Sequence, residues 1–278
     1  TSERTTLDTT LGSTDPERIA DALVAARLGA IPLARFPGCE PSDLAMAYAC
    51  QGAGIERWPD RVAGWKVGWI ALSDQALVGD ERLVGPIFAR HLHVLPDEPG
   101  VVDVAVFAGG FGAIEAEYAF RIGRDAPADK FEWTPAQAAD YVGSAHAAIE
   151  IASSPLATIN QLGPCVIIAD FGNNAGLLIG PALRDWSPAN DRTYTCRTEI
   201  DGRLVGDGGA ATLPGGPLAG LAFALGRCAR NGQPLRAGQY VTTGAATGIH
   251  DIRPGESGRV TFTCLTALDG HAVPRLPA

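Results

Sequence analysis

Ala113-Ile114-Glu115-Ala116-Glu117-Tyr118-Ala119-Phe120-Arg121-Ile122 reads as a β-strand, and what it implies for the chain around it decides the fold. Alternate residues of a strand project from one face, so Glu115 and Glu117 bring two carboxylates together. Neighbouring carboxylates repel unless the face is solvated, one of them is protonated, or a cation lies between them. The flanking Ile114, Ala116, Tyr118 and Phe120 are apolar and argue against a solvated edge. Taken alone, a Glu-x-Glu on a strand is still more often a surface pattern than a ligand pair.

Two further charges lie in apolar company. Glu150 sits inside Ala147-Ala148-Ile149-Glu150-Ile151-Ala152, where a carboxylate is costly to bury unless it is ion-paired or bound to a metal. As a third oxygen ligand it would complete an all-carboxylate site suited to a hard cation such as Mg²⁺ or Mn²⁺ and unsuited to zinc. Lys66, within Gly64-Trp65-Lys66-Val67-Gly68-Trp69-Ile70, either snorkels to the surface or faces a place where negative charge is bound. Three carboxylates and a divalent cation leave one negative charge, and an anionic substrate would add to it; Lys66 is the residue that can offset it.

Outward from these segments the pattern is mixed. Asp15-Pro16-Glu17 opens a helix over Pro16–Leu28, and a second helix is expected from Pro41 or Ser42 through Gln51. Strands are expected at Gly64–Ile70, near Gly85–Ala89, and at Val101–Phe107, Ala147–Ala152, Cys165–Asp170, Gly176–Ile179, Tyr194–Ile200, Tyr240–Gly244 and Arg259–Leu265. Helices are expected over Thr134–His146 and Pro217–Arg230, with irregular structure over most of Asp74–Pro99. The 34 glycines and 20 prolines exclude a helical bundle. The expected organisation is α+β: a helical amino-terminal region, residues 1–70, packed on a β-rich catalytic region, residues 71–278, or one domain overall.

The 278 residues suffice for a sizeable core, and 46% hydrophobic with 19% charged residues is a globular composition. A net charge of −9 without a basic stripe excludes nucleic acid as a natural partner and favours a small molecule. No apolar run approaches the ~20 residues that span a bilayer. The polar stretch Thr1–Thr14 has no apolar secretory core, so a cytoplasmic location is expected. Cys39, Cys50, Cys165, Cys196, Cys228 and Cys264 form no CxxC pair and read as small buried hydrophobes.

Tyr48-x-x-Gln51, Gly64-Trp65-Lys66-Val67-Gly68, Glu115-Ala116-Glu117, Glu150-Ile151, Asp170-Phe171-Gly172-Asn173-Asn174-Ala175-Gly176, and Thr243-Gly244-Ala245 followed by Pro254-Gly255-Glu256 occur in an order that resembles the 2-keto-4-pentenoate hydratases of the fumarylacetoacetate hydrolase superfamily. The resemblance runs over nearly the whole chain. It implies a mixed β-sandwich or β-roll fold, Mg²⁺ or Mn²⁺ on Glu115, Glu117 and Glu150, an active-site Lys66, a catalytic role for Asp170, and substrate contacts from Thr243, Gly244 and Gln51. The implied reaction adds water to a 2-hydroxyalka-2,4-dienoate from aromatic-ring breakdown to give a 4-hydroxy-2-oxoacid. A small anionic 2-oxo or 2-hydroxy acid is the implied partner, with a homo-oligomer and a complex with a related decarboxylase or aldolase.

One position departs from that pattern. Hydratases of this kind often carry an acid two residues before the glycine of Gly85-Pro86-Ile87-Phe88, and here Leu83 stands there. That leaves decarboxylation of a 2-oxo-3-enedioate and carbon–carbon hydrolysis of a diketo acid as alternatives on the same scaffold, with a scaffolding subunit as the non-enzymatic one. His91, His93 and His250 are candidate replacements for the missing acid, and Arg35, Arg121 and Arg197 candidate contacts for a second substrate carboxylate.

Overall fold

The computed structural model describes residues 12–263, 265 and 267–278; Cys264 and residues 1–11 of the polar amino-terminal stretch lie outside the described residues. Helix α1 (Pro16–Leu28) starts where the Asp15 carboxylate accepts from the Glu17 amide, and α2 (Leu44–Arg57) where Asp43 accepts from the Met46 amide. The two pack through Ile19, Leu23, Ala26 and Cys50 onto Leu156, Ile159 and Val166.

The remaining elements are β1 (Val62–Trp69), α3 (Leu72–Val78), β2 (Arg82–Phe88), β3 (Leu92–Val94), β4 (Val102–Val106), β5 (Phe111–Ile122), α4 (Pro135–Ala139), β6 (Val142–Ser154), α5 (Pro164–Ala169), β7 (Asn174–Ala182), β8 (Thr195–Ile200), β9 (Arg203–Gly209), α6 (Pro217–Arg230), β10 (Tyr240–Thr242), β11 (Ile249–Asp251), β12 (Ser257–Phe262) and β13 (Leu268–Pro274). One sheet runs β2-β1-β10-β5-β6-β7-β3, with β11 also paired to β5; the other runs β4-β13-β12-β8-β9. The architecture is the β-rich α+β arrangement expected from the sequence.

Period-two alternation sorts β5. Ile114, Ala116, Tyr118 and Phe120 enter the principal core against Val104, Cys196, Val260, Phe262 and Leu268 of the second sheet and Leu221 and Leu225 of α6. Glu115, Glu117 and Ala119 therefore share the other face. Antiparallel pairing sets Glu150 of β6 directly opposite Glu115, so the third carboxylate falls on that same face. Strand β1 pairs in parallel with β10 and antiparallel with β2, which carries Lys66 into the same sheet.

Several boundaries differ from expectation. The helix expected over Thr134–His146 stops at Ala139, after a capping box between Thr134 and Gln137, because the following residues pair with β5 from Val142 onward. Cys165–Asp170, expected as a strand, is helical over Pro164–Ala169; Pro164 occupies the first helical position, and a short apolar run has no period that separates the two states. The stretch expected to be irregular holds α3 and a β2 longer than Gly85–Ala89. Strands β3, β9, β11 and β13 were not anticipated. Cys39, Cys50, Cys165, Cys196 and Cys228 are free thiols, and no helix among the described residues is long and apolar enough to cross a membrane.

Candidate active site

Glu115, Glu117 and Glu150 are buried, and each offers a carboxylate oxygen within 4.8 Å of the others. The main chain fixes one of them: the amides of Thr243 and Gly244 donate to Oε2 of Glu117 at 2.8 and 2.7 Å. Glu150 accepts from Asn174 Nδ2 at 3.1 Å and from the Thr242 hydroxyl at 3.4 Å. Oε1 of Glu115 and Oε1 of Glu117 are buried with no hydrogen-bond partner. Orphaned carboxylate oxygens inside a protein are costly, and an all-oxygen donor set of this kind fits a hard divalent cation.

The buried Lys66 reaches this cluster, with Nζ 3.3 Å from Oε1 of Glu150 and 3.5 Å from Oδ1 of Asn173, to which it donates. The turn that presents Asn173 is left-handed at three successive residues, with φ of 58° at Phe171, 65° at Gly172 and 54° at Asn173. Such backbone is unfavourable for non-glycine residues and persists only where its surroundings hold it. Here Phe171 is clamped edge-on by Trp58 and Phe88, with ring centroids 5.5 and 5.2 Å away. A Cβ on Gly85 would lie 2.2 Å from the Phe171 carbonyl oxygen, and one on Gly172 would lie 3.0 Å from the Lys66 side chain. The two glycines let β2, the turn and the lysine close on one another.

Burial pushes the carboxyl of Glu115 up to about 7, with the charge of Glu150 adding to the rise and Lys66 opposing it. Glu117 is raised well above the usual carboxylate range, first by burial and then by Glu150 and Glu115. Burial alone would lower Lys66, but the negative charge of Glu150, Glu115 and Glu117 overcomes it and holds the ammonium above its ordinary value. Fully ionised, the three carboxylates would carry more negative charge than Lys66 can balance, which is why two of them are displaced upward.

A cavity of about 430 Å³ opens onto Lys66 and Glu115, lined also by Leu83, Asn173, Thr243 and Gly244. The structure thus gathers Lys66, Glu115, Glu117, Glu150, Thr243 and Gly244 at one place. Asp170 and Gln51 stand behind it and do not line the cavity. Asp170 accepts from Arg27 at 2.5 and 2.9 Å and from the Ser154 hydroxyl at 2.6 Å. Gln51 Nε2 donates to the carbonyls of Val84 and Ile168, both at 2.9 Å, tying β2 to α5. None of His91, His93, His250, Arg35, Arg121 and Arg197 lines this cavity. Asn173 and Asn174 were not singled out individually from sequence but lie inside a motif already noted.

No family model matches the chain. A 4-oxalocrotonate decarboxylase of a Pseudomonas species is 28% identical over 214 residues, 77% of this chain and 79% of that protein. A 2-keto-4-pentenoate hydratase of Burkholderia vietnamiensis is 30% identical over 215 residues, 74% of this chain and 78% of that protein. Among solved structures, 4-oxalocrotonate decarboxylase from Pseudomonas putida G7, complexed with magnesium and adipate, superposes with a TM-score of 0.75 at 20% identity, covering 93% of this chain and 97% of that one. That likeness shows the fold.

Proposed function

This chain belongs to the 2-keto-4-pentenoate hydratase family, and from that premise we propose that it is a metal-dependent hydro-lyase converting a 2-hydroxyalka-2,4-dienoate and water to a 4-hydroxy-2-oxoacid. The observation that supports this most is the buried triad of Glu115, Glu117 and Glu150, with two orphaned oxygens and Lys66 beside it. Those three carboxylates would hold Mg²⁺ or Mn²⁺. A divalent cation held there would supply positive charge against the negative charge that develops on the substrate's 2-oxygen as the dienol passes to its 2-oxo-3-ene tautomer.

The remaining work falls to the chain's own groups. Lys66, kept protonated by its carboxylate neighbours, serves as counter-charge and hydrogen-bond donor to the bound anion. Glu117 is oriented by the Thr243 and Gly244 amides, so that strand end positions a ligand rather than presenting those two N–H groups to the cavity. Asn173 holds Lys66 and Asn174 holds Glu150. We assign Asp170 and Gln51 to positioning, Asp170 at the base of the turn that carries these two asparagines. Water then adds at carbon 4 of the 2-oxo-3-ene, its proton going to carbon 3. A cytoplasmic homo-oligomer, and association with a related decarboxylase or aldolase, belong to the same proposal.

A second reading has its own observation. Leu83, apolar and buried, lines the cavity where hydratases of this kind often have an acid, and loss of carbon dioxide from a 2-oxo-3-enedioate needs no group there to activate water. The deciding experiment is steady-state turnover of 2-hydroxypenta-2,4-dienoate by metal-stripped protein with and without added Mg²⁺ or Mn²⁺, with the product identified. Metal-dependent formation of 4-hydroxy-2-oxopentanoate is expected. Retained metal binding with no turnover would move the assignment to the decarboxylase.

A further inference from the structure

The charged cluster occupies one part of the cavity, and the walls around it are apolar. Gly68 of β1 pairs with Leu83 of β2, two residues along from the pair Lys66 and Gly85, so Leu83 projects from the same face as Lys66. A Cβ on Gly68 would lie 3.2 Å from Leu83 Cδ1 and 3.6 Å from Lys66 Nζ, which puts the two side chains side by side. Leu83 is packed with Cys165 and Ile168 of α5, and Ile167 of the same helix joins it on the cavity wall. Ile249 of β11 sits directly opposite Glu115, and a Cβ on Gly244 would lie 3.2 Å from Leu213 Cδ2. Apolar side chains therefore stand beside the lysine, beside a ligand and over the strand end that holds another ligand.

The polar groups along these walls are already used. The Thr212 hydroxyl is within 2.7 Å of the Gly209 and Ala246 carbonyls, and the Thr243 hydroxyl donates to the Tyr118 carbonyl at 2.8 Å. The Thr243 and Gly244 amides are spent on Glu117. Arg82 borders the cavity, but by strand alternation it leaves β2 on the face opposite Leu83, and its guanidinium is engaged by Glu81 and the Pro214 carbonyl. Asn160 accepts from Asn173, the partner of Lys66, and belongs to the charged end. A second carboxylate laid against Leu83, Ile167 and Leu213 would lose its water without gaining a donor, whereas methylene groups there are stabilised by burial. There is also space for them. The five-carbon dienoate has eight non-hydrogen atoms; even at the ~30 Å³ that a water molecule occupies in the liquid, these fill about 240 Å³. The cavity measures about 430 Å³.

We infer that the substrate is a monocarboxylate whose chain continues past carbon 5 as a short alkyl group, and that Leu83, with Ile167, Leu213 and Ile249, selects for it. This rests on the hydratase-family reading for the charged end only. The five-carbon dienoate is then turned over but bound less tightly than its extended homologues. Leu83 becomes a specificity residue, and its apolar character needs no change of reaction to explain it.

Equilibrium binding separates this from turnover. The Mg²⁺-loaded protein is titrated calorimetrically with 2-oxopentanoate, 2-oxoheptanoate and 2-oxoadipate. Two added methylenes are expected to tighten binding by about fifteenfold, at about fourfold for each one buried. The diacid should bind at least about tenfold more weakly than 2-oxoheptanoate. In Leu83→Asn the gain from the two methylenes should fall to about fourfold or less while affinity for 2-oxopentanoate is kept. A purely structural Leu83 would lower both affinities together and leave their ratio intact, and that result overturns the inference. So does equal wild-type affinity for the five- and seven-carbon acids, or tighter binding of the diacid, neither of which needs a variant to fold. If none of the three acids binds while Mg²⁺ does, the charged end has been misread, and the inference falls with that premise.

Discussion

Two clusters of buried charge flank the turn Phe171–Asn173 and are built to opposite plans. On one side Arg27 and Asp170, 2% and 1% exposed, form a matched pair. Arg27 donates to both Asp170 oxygens and to the carbonyls of Asn174, Ser153 and Asp170, and Ser154 supplies a further donor to the carboxylate. On the other side three carboxylates face one lysine, and two of their oxygens have no partner. A buried ion cluster that balances its charge and uses its hydrogen bonds is complete without a ligand; one that does neither is suited to a ligand of definite sign. The first holds the turn and the second is where chemistry is expected, although both consist of acids and bases in apolar surroundings.

Removing the single cation of the unbalanced cluster should have the largest effect. Lys66→Ala is expected to lower kcat by about 10²–10⁴-fold, the span of one lost catalytic hydrogen-bonding or proton-transferring group. Mg²⁺ affinity, measured by calorimetry, should be kept or raised, since an opposing positive charge has gone. A collapse of metal affinity with Lys66→Ala would mean that the lysine builds the carboxylate cluster rather than serving the substrate.

The same operation on the balanced cluster should act on the fold instead. Arg27→Met leaves Asp170 buried without its counter-ion, and breaking such a pair costs about 3–5 kcal/mol. Denaturant unfolding of the metal-free protein is the measurement. Whatever folds should still bind Mg²⁺, because no ligand touches Arg27 directly. If Arg27→Met unfolds no more easily than the parent but loses metal, the division between the two clusters is wrong.

How far this division can be read from sequence depends on which partners are local. Glu115 and Glu117 are two residues apart on a strand, so their shared face follows from period alone, and the apolar company of Glu150 and Lys66 marks both as exceptional. Their convergence is a matter of sheet register, Glu150 opposite Glu115 on β6 and Lys66 on a strand joined to β5 through β10. The Arg27–Asp170 pair spans 143 positions, and Arg27 looks like an ordinary basic residue in the last turn of α1. The errors at Thr134–His146 and Cys165–Asp170 are local ambiguities resolved by packing, the first by pairing with β5 and the second by a proline at a helix start.

The smallest expected effect sharpens the comparison by pH. In the metal-free fold Glu115 titrates up at about 7, against an ordinary value of 4.5, chiefly because it is buried, and Glu117 is displaced in the same direction. A carboxyl whose folded pKa is raised contributes stability that is fully present below its unfolded pKa and is lost as pH rises through the folded one. The metal-free protein should therefore lose thermal stability between about pH 5 and about pH 8, while a bound divalent cation, which requires the ionised carboxylates, stabilises more over the same window. The gap in Tm between Mg²⁺-loaded and chelator-treated protein should widen by a few degrees across that range. Glu115→Gln removes one of the titrating groups, so the metal-free curve should flatten. A gap that stays constant with pH would show that the triad is already ionised and neutralised without metal, and the contrast with the Arg27–Asp170 pair would disappear.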